Sequence, residues 1–269
     1  VVKSVRISFL LLVSLWSGAA WGHHAVSSSG IAWVEPVDVL EVELQTARFD
    51  FGGARRGFWQ SYVARGEWSL GERASVSLRA PWALVRFEDG RTALGLSDLE
   101  LGARVGLIQT AHGELLVSAG LAVEVPTGEE RLELGNGHVE LTPFVVGSGQ
   151  LTRRWLWTGL VSWRSALGPD SPRSPGDPVA HGAALGPHSA QELAARLDLS
   201  WFQEGRWYAS AGAEWVMMVA APTRGPLVPR AELGWLPSAG FRLALGADAT
   251  AWGESRHGLR GRLSAAWIF

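Results

Sequence analysis

Cysteine is absent from the 269-residue chain, which excludes disulfide frameworks and thiolate metal sites. Lysine is almost absent as well: after Lys3 every fixed positive side chain is arginine. No sign of charge dominates, with 24 basic against 26 acidic residues and a formal net charge of −2. That balance leaves no basic footprint for nucleic acid, and no nucleic-acid partner is expected. Long apolar runs are missing too. No stretch reaches the roughly 18 consecutive apolar residues of a spanning helix. What is plentiful is glycine, at 33 residues, and tryptophan, at 15.

The first residues, "VVKSVRISFLLLVSLWSGAAWG", place Lys3 and Arg6 before an apolar run from Ile7 to Trp16, and small residues after it. This is the layout of a secretory signal, and the run is too short to span a bilayer. Residues 1–22 are expected to be a signal peptide. Cleavage after Gly22 is favoured over cleavage after Ala20 and leaves His23 first. Without Lys3 and Arg6 the remainder carries 22 basic and 26 acidic residues, a net charge of −4. Residues 23–36 are expected to form a short N-terminal periplasmic or lumen segment. The exported chain is then either a soluble exported protein or a membrane β-barrel.

From residue 37 onward, alternating segments recur between turn signals. Strands are predicted at about 37–50, 57–69, 74–87, 96–108, 114–126, 138–149, 154–165, 190–202, 206–218, 227–237, 240–252 and 257–269. The strands of a soluble sandwich average 5–6 residues, and these are longer. Their number is even, as in bacterial single-chain barrels. "LGER", "TAHGE", "LTRR", "QEGR" and "PSAG" read as tight turns. "FEDGRTALG", "TGEERLELGNG", "GPDSPRSPGDPVAHGAALGPH", "APTRGP" and "GESRHG" read as longer links, with "FGGARR" the only short one among them. Short turns at one end and longer loops at the other are the periplasmic and extracellular ends of an outer-membrane barrel. The predicted fold is an all-β, antiparallel up-and-down transmembrane barrel of about 12 strands over 37–269.

Arginine decides the register, because one Arg on lipid at midplane costs roughly 2–4 kcal/mol. Arg65, Arg79, Arg104, Arg164, Arg196, Arg230, Arg242, Arg260 and Arg262 must therefore face inward. On the opposite alternation lie two groups of tryptophan. Trp68, Trp155, Trp157, Trp201, Trp207, Trp235 and Trp267 sit beside the tight turns, and Trp82, Trp163 and Trp215 sit near the other ends. Two aromatic belts about an apolar band mark the two membrane interfaces.

The closing segment "LRGRLSAAWIF" alternates to its last residue, Phe269. It resembles the C-terminal signal of outer-membrane barrels, which implies recognition of Trp267 and Phe269 by the outer-membrane insertion machinery. "LSDLELGARVGL" (96–107) and "GLAVEVPTGEERLELGNGHVELTPFVVGSGQLTRRWLWTGLVSWR" (120–164) resemble the phenol-degradation meta-pathway family of outer-membrane transporters. The resemblance rests on a "GxxDLxLGxR" strand at Gly95, Asp98, Leu99, Leu101, Gly102 and Arg104. A "PTG" at Pro126, Thr127 and Gly128 and a Gly-rich loop follow it. It implies a transporter or channel in the outer membrane of a Gram-negative bacterium, and says little about the solute.

By parity the lumen is lined by Arg65, Glu67 and Arg79, then Asp98, Glu100, Arg104 and Glu124. Arg196, Asp198, Glu214, Arg230 and Glu232 continue the lining, and Arg242, Asp248, Arg260 and Arg262 complete it. Glu41, Glu43 and Glu140 point the same way. Arg pairs carboxylates bidentately, so this network either satisfies charge inside a narrow barrel or selects solutes at a constriction; the two roles can coexist. Eight strands leave a filled interior and 16–18 an aqueous channel, so twelve predict a narrow pore or a single-ligand tunnel. Mainly small and charged residues, with Trp59, Phe144 and Tyr208 as aromatics, favour small polar or ionised solutes.

Other readings are a non-conducting barrel with a structural, surface-interaction or metal-binding role, and a barrel enzyme such as a phospholipase. His138 and His257 lie near outer strand ends without a convincing Ser partner, so no catalytic residue and no cofactor is assigned. His23 and His24 offer an N-terminal chelating arrangement for Cu(II). The expected partners are outer-membrane lipid and lipopolysaccharide, the insertion machinery and a small-molecule solute.

Overall fold

A computed structural model describes residues 36–50, 56–110, 115–132, 134–167, 191–203, 206–219, 225–238, 240–252 and 258–269, with the backbone of 178–181 and 184–187. The expected signal peptide, its cleavage site and most of the 23–36 segment lie outside the described residues. The strands are β1 (Val39–Asp50), β2 (Arg56–Ser69), β3 (Ala74–Phe87), β4 (Thr92–Leu96), β5 (Leu99–Gln109), β6 (Leu115–Val125), β7 (Val139–Thr152) and β8 (Trp155–Leu167). They continue with β9 (Pro178–His181), β10 (Ala184–Pro187), β11 (Gln191–Gln203), β12 (Trp207–Met218), β13 (Leu227–Ser238), β14 (Phe241–Ala249) and β15 (Leu259–Ile268). β9 and β10 pair only with each other, in the link from β8 to β11.

All other strands form one antiparallel sheet. Each pairs with its sequence neighbours, and β15 returns to pair with β1. β4 and β5 both pair with β3 and are two pieces of a single strand. The result is a closed barrel of 12 strands. Closure is the only way a sheet can satisfy its edge N–H and C=O groups inside hydrocarbon. At the seam Leu44 faces Leu263 and Leu40 faces Trp267, and the Phe269 N–H donates to the Asp38 carbonyl at 2.9 Å.

Alternation sorts the side chains. In β14, Arg242, Ala244, Gly246 and Asp248 are buried inside, while Leu245 and Ala247 are exposed outside. Leu245, Leu233 and Leu197 are each more than 60% exposed, the state of a lipid-facing band and not of a soluble surface. The tryptophans of both predicted belts face outward, and Trp207 stacks on Trp235 across neighbouring strands, with centroids 5.9 Å apart. Inside, large rings are accommodated by glycine on the next strand. Tyr208 lies opposite Gly234, where a Cβ would meet the ring at 1.8 Å, and Phe144 lies opposite Gly120, where it would meet the ring at 2.4 Å.

One strand departs from the sequence reading. The segment predicted at 96–108 begins at Thr92, and "FEDGRTALG" is not a loose link. Glu88–Arg91 makes a tight turn, closed by Phe87 N–H to the Arg91 carbonyl at 2.9 Å, with Gly90 at φ 91°. The strand then breaks between β4 and β5, where Ser97 and Asp98 are both buried. Ala93, Gly95 and Ser97 point inward above the break and Asp98, Glu100, Gly102 and Arg104 below it, so the inward parity switches. The cause sits on β3. Pro81 has no N–H to give its neighbour, so the facing strand bulges there, and Ser97 N–H bonds the Pro81 carbonyl at 2.9 Å.

A charge placed on the outer band tests the assignment of faces. Leu245→Arg should destabilise the barrel by about 2–4 kcal/mol in urea titrations in lipid vesicles, a cost set by depth. An unchanged midpoint would mean that this face does not meet hydrocarbon.

Candidate functional site

The inward face carries a ladder of ion pairs. One chain runs across β14, β1, β2 and β5: Arg242 Nη2 donates to Glu41 Oε1 at 2.5 Å, Glu41 lies 3.9 Å from Arg65, and Arg65 Nη2 donates to Glu67 Oε2 at 3.0 Å. Arg104 closes on the other oxygen of Glu67, to which Ser75 also donates at 2.7 Å. On the closing strands Asp248 takes Arg260 Nε at 3.0 and 3.1 Å and lies 3.3 Å from Arg262 Nε. Across β11 and β13, Asp198 sits 2.5 Å from Arg196 and 3.4 Å from Arg230, and Tyr208 OH donates to Glu232 at 2.5 Å. Arg79 lies 3.8 Å from Glu100. Glu214 stands opposite Arg196 in the β11–β12 register.

The inward alternation carries every arginine that the sequence assigned to it. Sequence reasoning did not foresee how they group. Arg164, expected inward by register alone, bridges Glu140 at 3.5 Å and Glu192 at 3.6 Å, and the His138 ring sits 3.2 Å from Glu140. Removing one partner of such a buried pair costs about 3–5 kcal/mol, because the other charge is left without compensation.

Asp98 does something different from its neighbours in the ladder. Its carboxylate accepts from Gly128 N–H at 2.9 Å and Asn136 N–H at 2.7 Å. Both belong to the β6–β7 link, which folds into the barrel. Thr127 bridges the strand break: its hydroxyl donates to the Ser97 carbonyl at 2.9 Å and accepts from Leu99 N–H at 3.0 Å. Ser97 Oγ donates to the Leu134 carbonyl. Asn136 Nδ2 donates to Glu124 at 3.0 Å. Leu134 then packs on Phe49, Trp59, Val85 and Ala93, the inward faces of β1 to β4. Gly128 and Gly135 cross so closely that a Cβ on either would lie 2.9 Å from the other's Cα. The "GxxDLxLGxR" and "PTG" residues are thus two halves of one latch, with Leu134 and Asn136 as the parts missed from sequence. Two nearby glycines in a charged loop were the only signal for them.

Below the latch, toward the tight-turn end, lies a small space of about 20 Å³, room for one water. Arg65, Glu67, Arg104, Glu100, Ser75 and Phe144 line it. Among the described residues no group of three His, Cys, Asp or Glu side chains is placed to hold a metal ion. His23, His24, His257 and the side chains of 168–190 lie outside the described residues.

No family profile and no curated protein matches the chain. Solved structures do match. The COG4313 outer membrane channel from Pseudomonas putida F1 superposes with a TM-score of 0.64 at 13% identity, over 91% of this chain and 100% of that one. This is the fold of an outer-membrane β-barrel. The NanC porin aligns at 7% identity over 86% of this chain and 99% of its own, with a TM-score of 0.55. The β domain of the Bordetella autotransporter BrkA aligns at 13% identity over 87% of this chain and 100% of its own, with a TM-score of 0.52. Channels and an autotransporter domain share this architecture, so the fold is common ground and function rests on the interior.

The latch is open to a direct test. Hydrogen bonds to a charged group are each worth about 1.5–3 kcal/mol, so Asp98→Ala should free the link and speed cleavage at Glu129 or Glu130 by a glutamyl protease by roughly tenfold or more. Equal cleavage in the folded wild type and variant would remove Asp98 from the latch.

Proposed function

We propose that the chain is a narrow outer-membrane channel for passive passage of small polar or ionised solutes. In this reading the Arg–carboxylate ladder sets the potential along the lumen, and the latched β6–β7 link narrows its outer half. The observation that carries the proposal is the ladder itself. Buried ion pairs can often be replaced by packed apolar groups at no loss of stability, so a barrel needing only stability has little use for so many. Fixed charges lining a constriction raise or lower ion passage by sign. The inward residues from Arg65 and Glu67 round to Arg260 and Arg262 act as pore lining, while Asp98 acts through the loop it holds.

Small aromatic or ionised compounds are the solutes proposed, because Phe144 beside Arg104 offers a surface for a ring with an acidic group. Placement in a Gram-negative outer membrane follows from the same reading, with Trp267 and Phe269 as the signal for the insertion machinery. No catalytic role is assigned: His138 ends an ion-pair cluster at Glu140. One observation favours a second reading, a sealed barrel with a structural or surface role. Trp59 and Arg242 are fully buried and Leu134 closes over the inner faces of β1 to β4.

Planar-bilayer recording separates the two. Discrete conductance steps from folded wild type are expected. Arg260→Ala with Arg262→Ala should enlarge the steps and shift selectivity toward cations, since two positive charges beside Asp248 are removed. No conductance from folded protein would favour the sealed barrel. Conductance with unchanged selectivity in the double variant would reject the ladder mechanism and keep the channel.

A further inference from the structure

The lipid-facing surface is not uniform. On the outward alternation of the twelve spanning strands, the described residues include only four charged side chains: Arg48, Asp50, Arg56 and Arg86. All four belong to β1, β2 and β3, at the ends opposite the β2–β3 turn. In register, Arg48 faces Phe58 and Phe58 faces Arg86, so the two arginines flank one exposed ring in a single row. Neighbouring strands lie about 4.7–4.9 Å apart, which sets Arg48 and Arg86 about 10 Å apart across β2. One step farther out, Asp50 is neutralised by Arg56 at 2.8 Å, and Glu88 stands across from Arg56. Beyond that, Asp89 is taken by Arg91 at 2.7 Å.

The row stands at a defined height. Tyr62 and Trp82 face each other four residues inward along β2 and β3, at the level of the aromatic belt. Four residues cover about 13 Å along a tilted strand, so Arg48 and Arg86 project beyond the belt, on the headgroup side of the interface. Gln60, bonded to Tyr62 at 2.7 Å, continues the polar stripe downward on β2. An arginine on this face has no use toward hydrocarbon, and among the described residues the outward positions opposite the outer tryptophans of other strands are apolar, as Leu193 opposite Trp163 and Leu227 opposite Trp215 show.

We infer that Arg48 and Arg86, with Phe58 between them, form a docking site for the phosphates of lipid A in the outer leaflet. The guanidinium fork matches phosphate oxygens bidentately, and the ring offers an apolar floor for the sugar and the first acyl carbons. The site rests on the outer-membrane orientation of the barrel and not on conduction, so a silent bilayer recording leaves it standing.

Native mass spectrometry of the refolded barrel with bisphosphorylated lipid A, dephosphorylated lipid A and inorganic phosphate tests it. The wild type should hold bisphosphorylated lipid A about tenfold or more tighter than the dephosphorylated form, as expected of two arginines at a membrane surface. Arg48→Gln with Arg86→Gln should lose that preference and keep heat-modifiable gel mobility, since both side chains are exposed. Arg56→Gln, whose arginine is engaged by Asp50, should keep it. Equal affinity for the two lipids, or a preference that survives the double variant, would overturn the site. So would inorganic phosphate competing at the concentrations where lipid A binds, which would mark a plain anion site.

Discussion

Hydrocarbon gives a peptide group nothing to bond to, and this constraint shapes the whole molecule. Each N–H and C=O of a spanning strand must find its partner on a neighbour, so the sheet closes from β15 to β1. Closure creates an inside and an outside, and alternation then distributes every side chain between them. Tryptophan and leucine meet lipid. Along the middle of the strands, arginine and carboxylate are confined to an interior where each must be compensated by the other.

That confinement explains why the charges form chains instead of isolated pairs. Glu67 serves Arg65 and Arg104, Asp198 serves Arg196 and Arg230, and Asp248 serves Arg260 and Arg262. Each carboxylate has two oxygens and each guanidinium five N–H donors, so sharing satisfies more of them than pairing does. The same sharing couples strands far apart in sequence, as Arg242 and Glu41 do across the seam. A network of this kind stiffens the barrel and also leaves fixed charge along whatever path a solute takes.

The latch shows one local defect shaping a distant element. Pro81 interrupts the ladder, β4 and β5 part, and the exposed groups of Ser97 and Leu99 are taken up by Thr127. Asp98, turned inward by the break, gathers the returning loop through Gly128 and Asn136. An acid that parity alone counts among the lumen charges is therefore occupied by backbone N–H groups. The outward charges on β1 to β3 show the converse, a departure from the apolar face confined to one sector of the rim.

The amino-acid sequence by itself determined the class of fold, the strand count and the inward alternation on which nine of the arginines lie. Period-two alternation is local, and the cost of charge in lipid allows only one register for Arg104, Arg196 or Arg242. It could not place the start of the strand at Thr92, because a bulge reverses parity and makes "TALG" look like loop. Nor could it say which carboxylate meets which arginine. Those pairings follow from strand stagger and from rotamers chosen inside a crowded lumen, as Arg164 between Glu140 and Glu192 shows. Tertiary structure alone decided that Leu134 reaches the inner faces of β1 to β4, since that contact joins segments the chain keeps some forty to ninety residues apart. A local pattern carries no record of such a contact; it exists only once the closed sheet brings the loop and those strands to the same end of one interior.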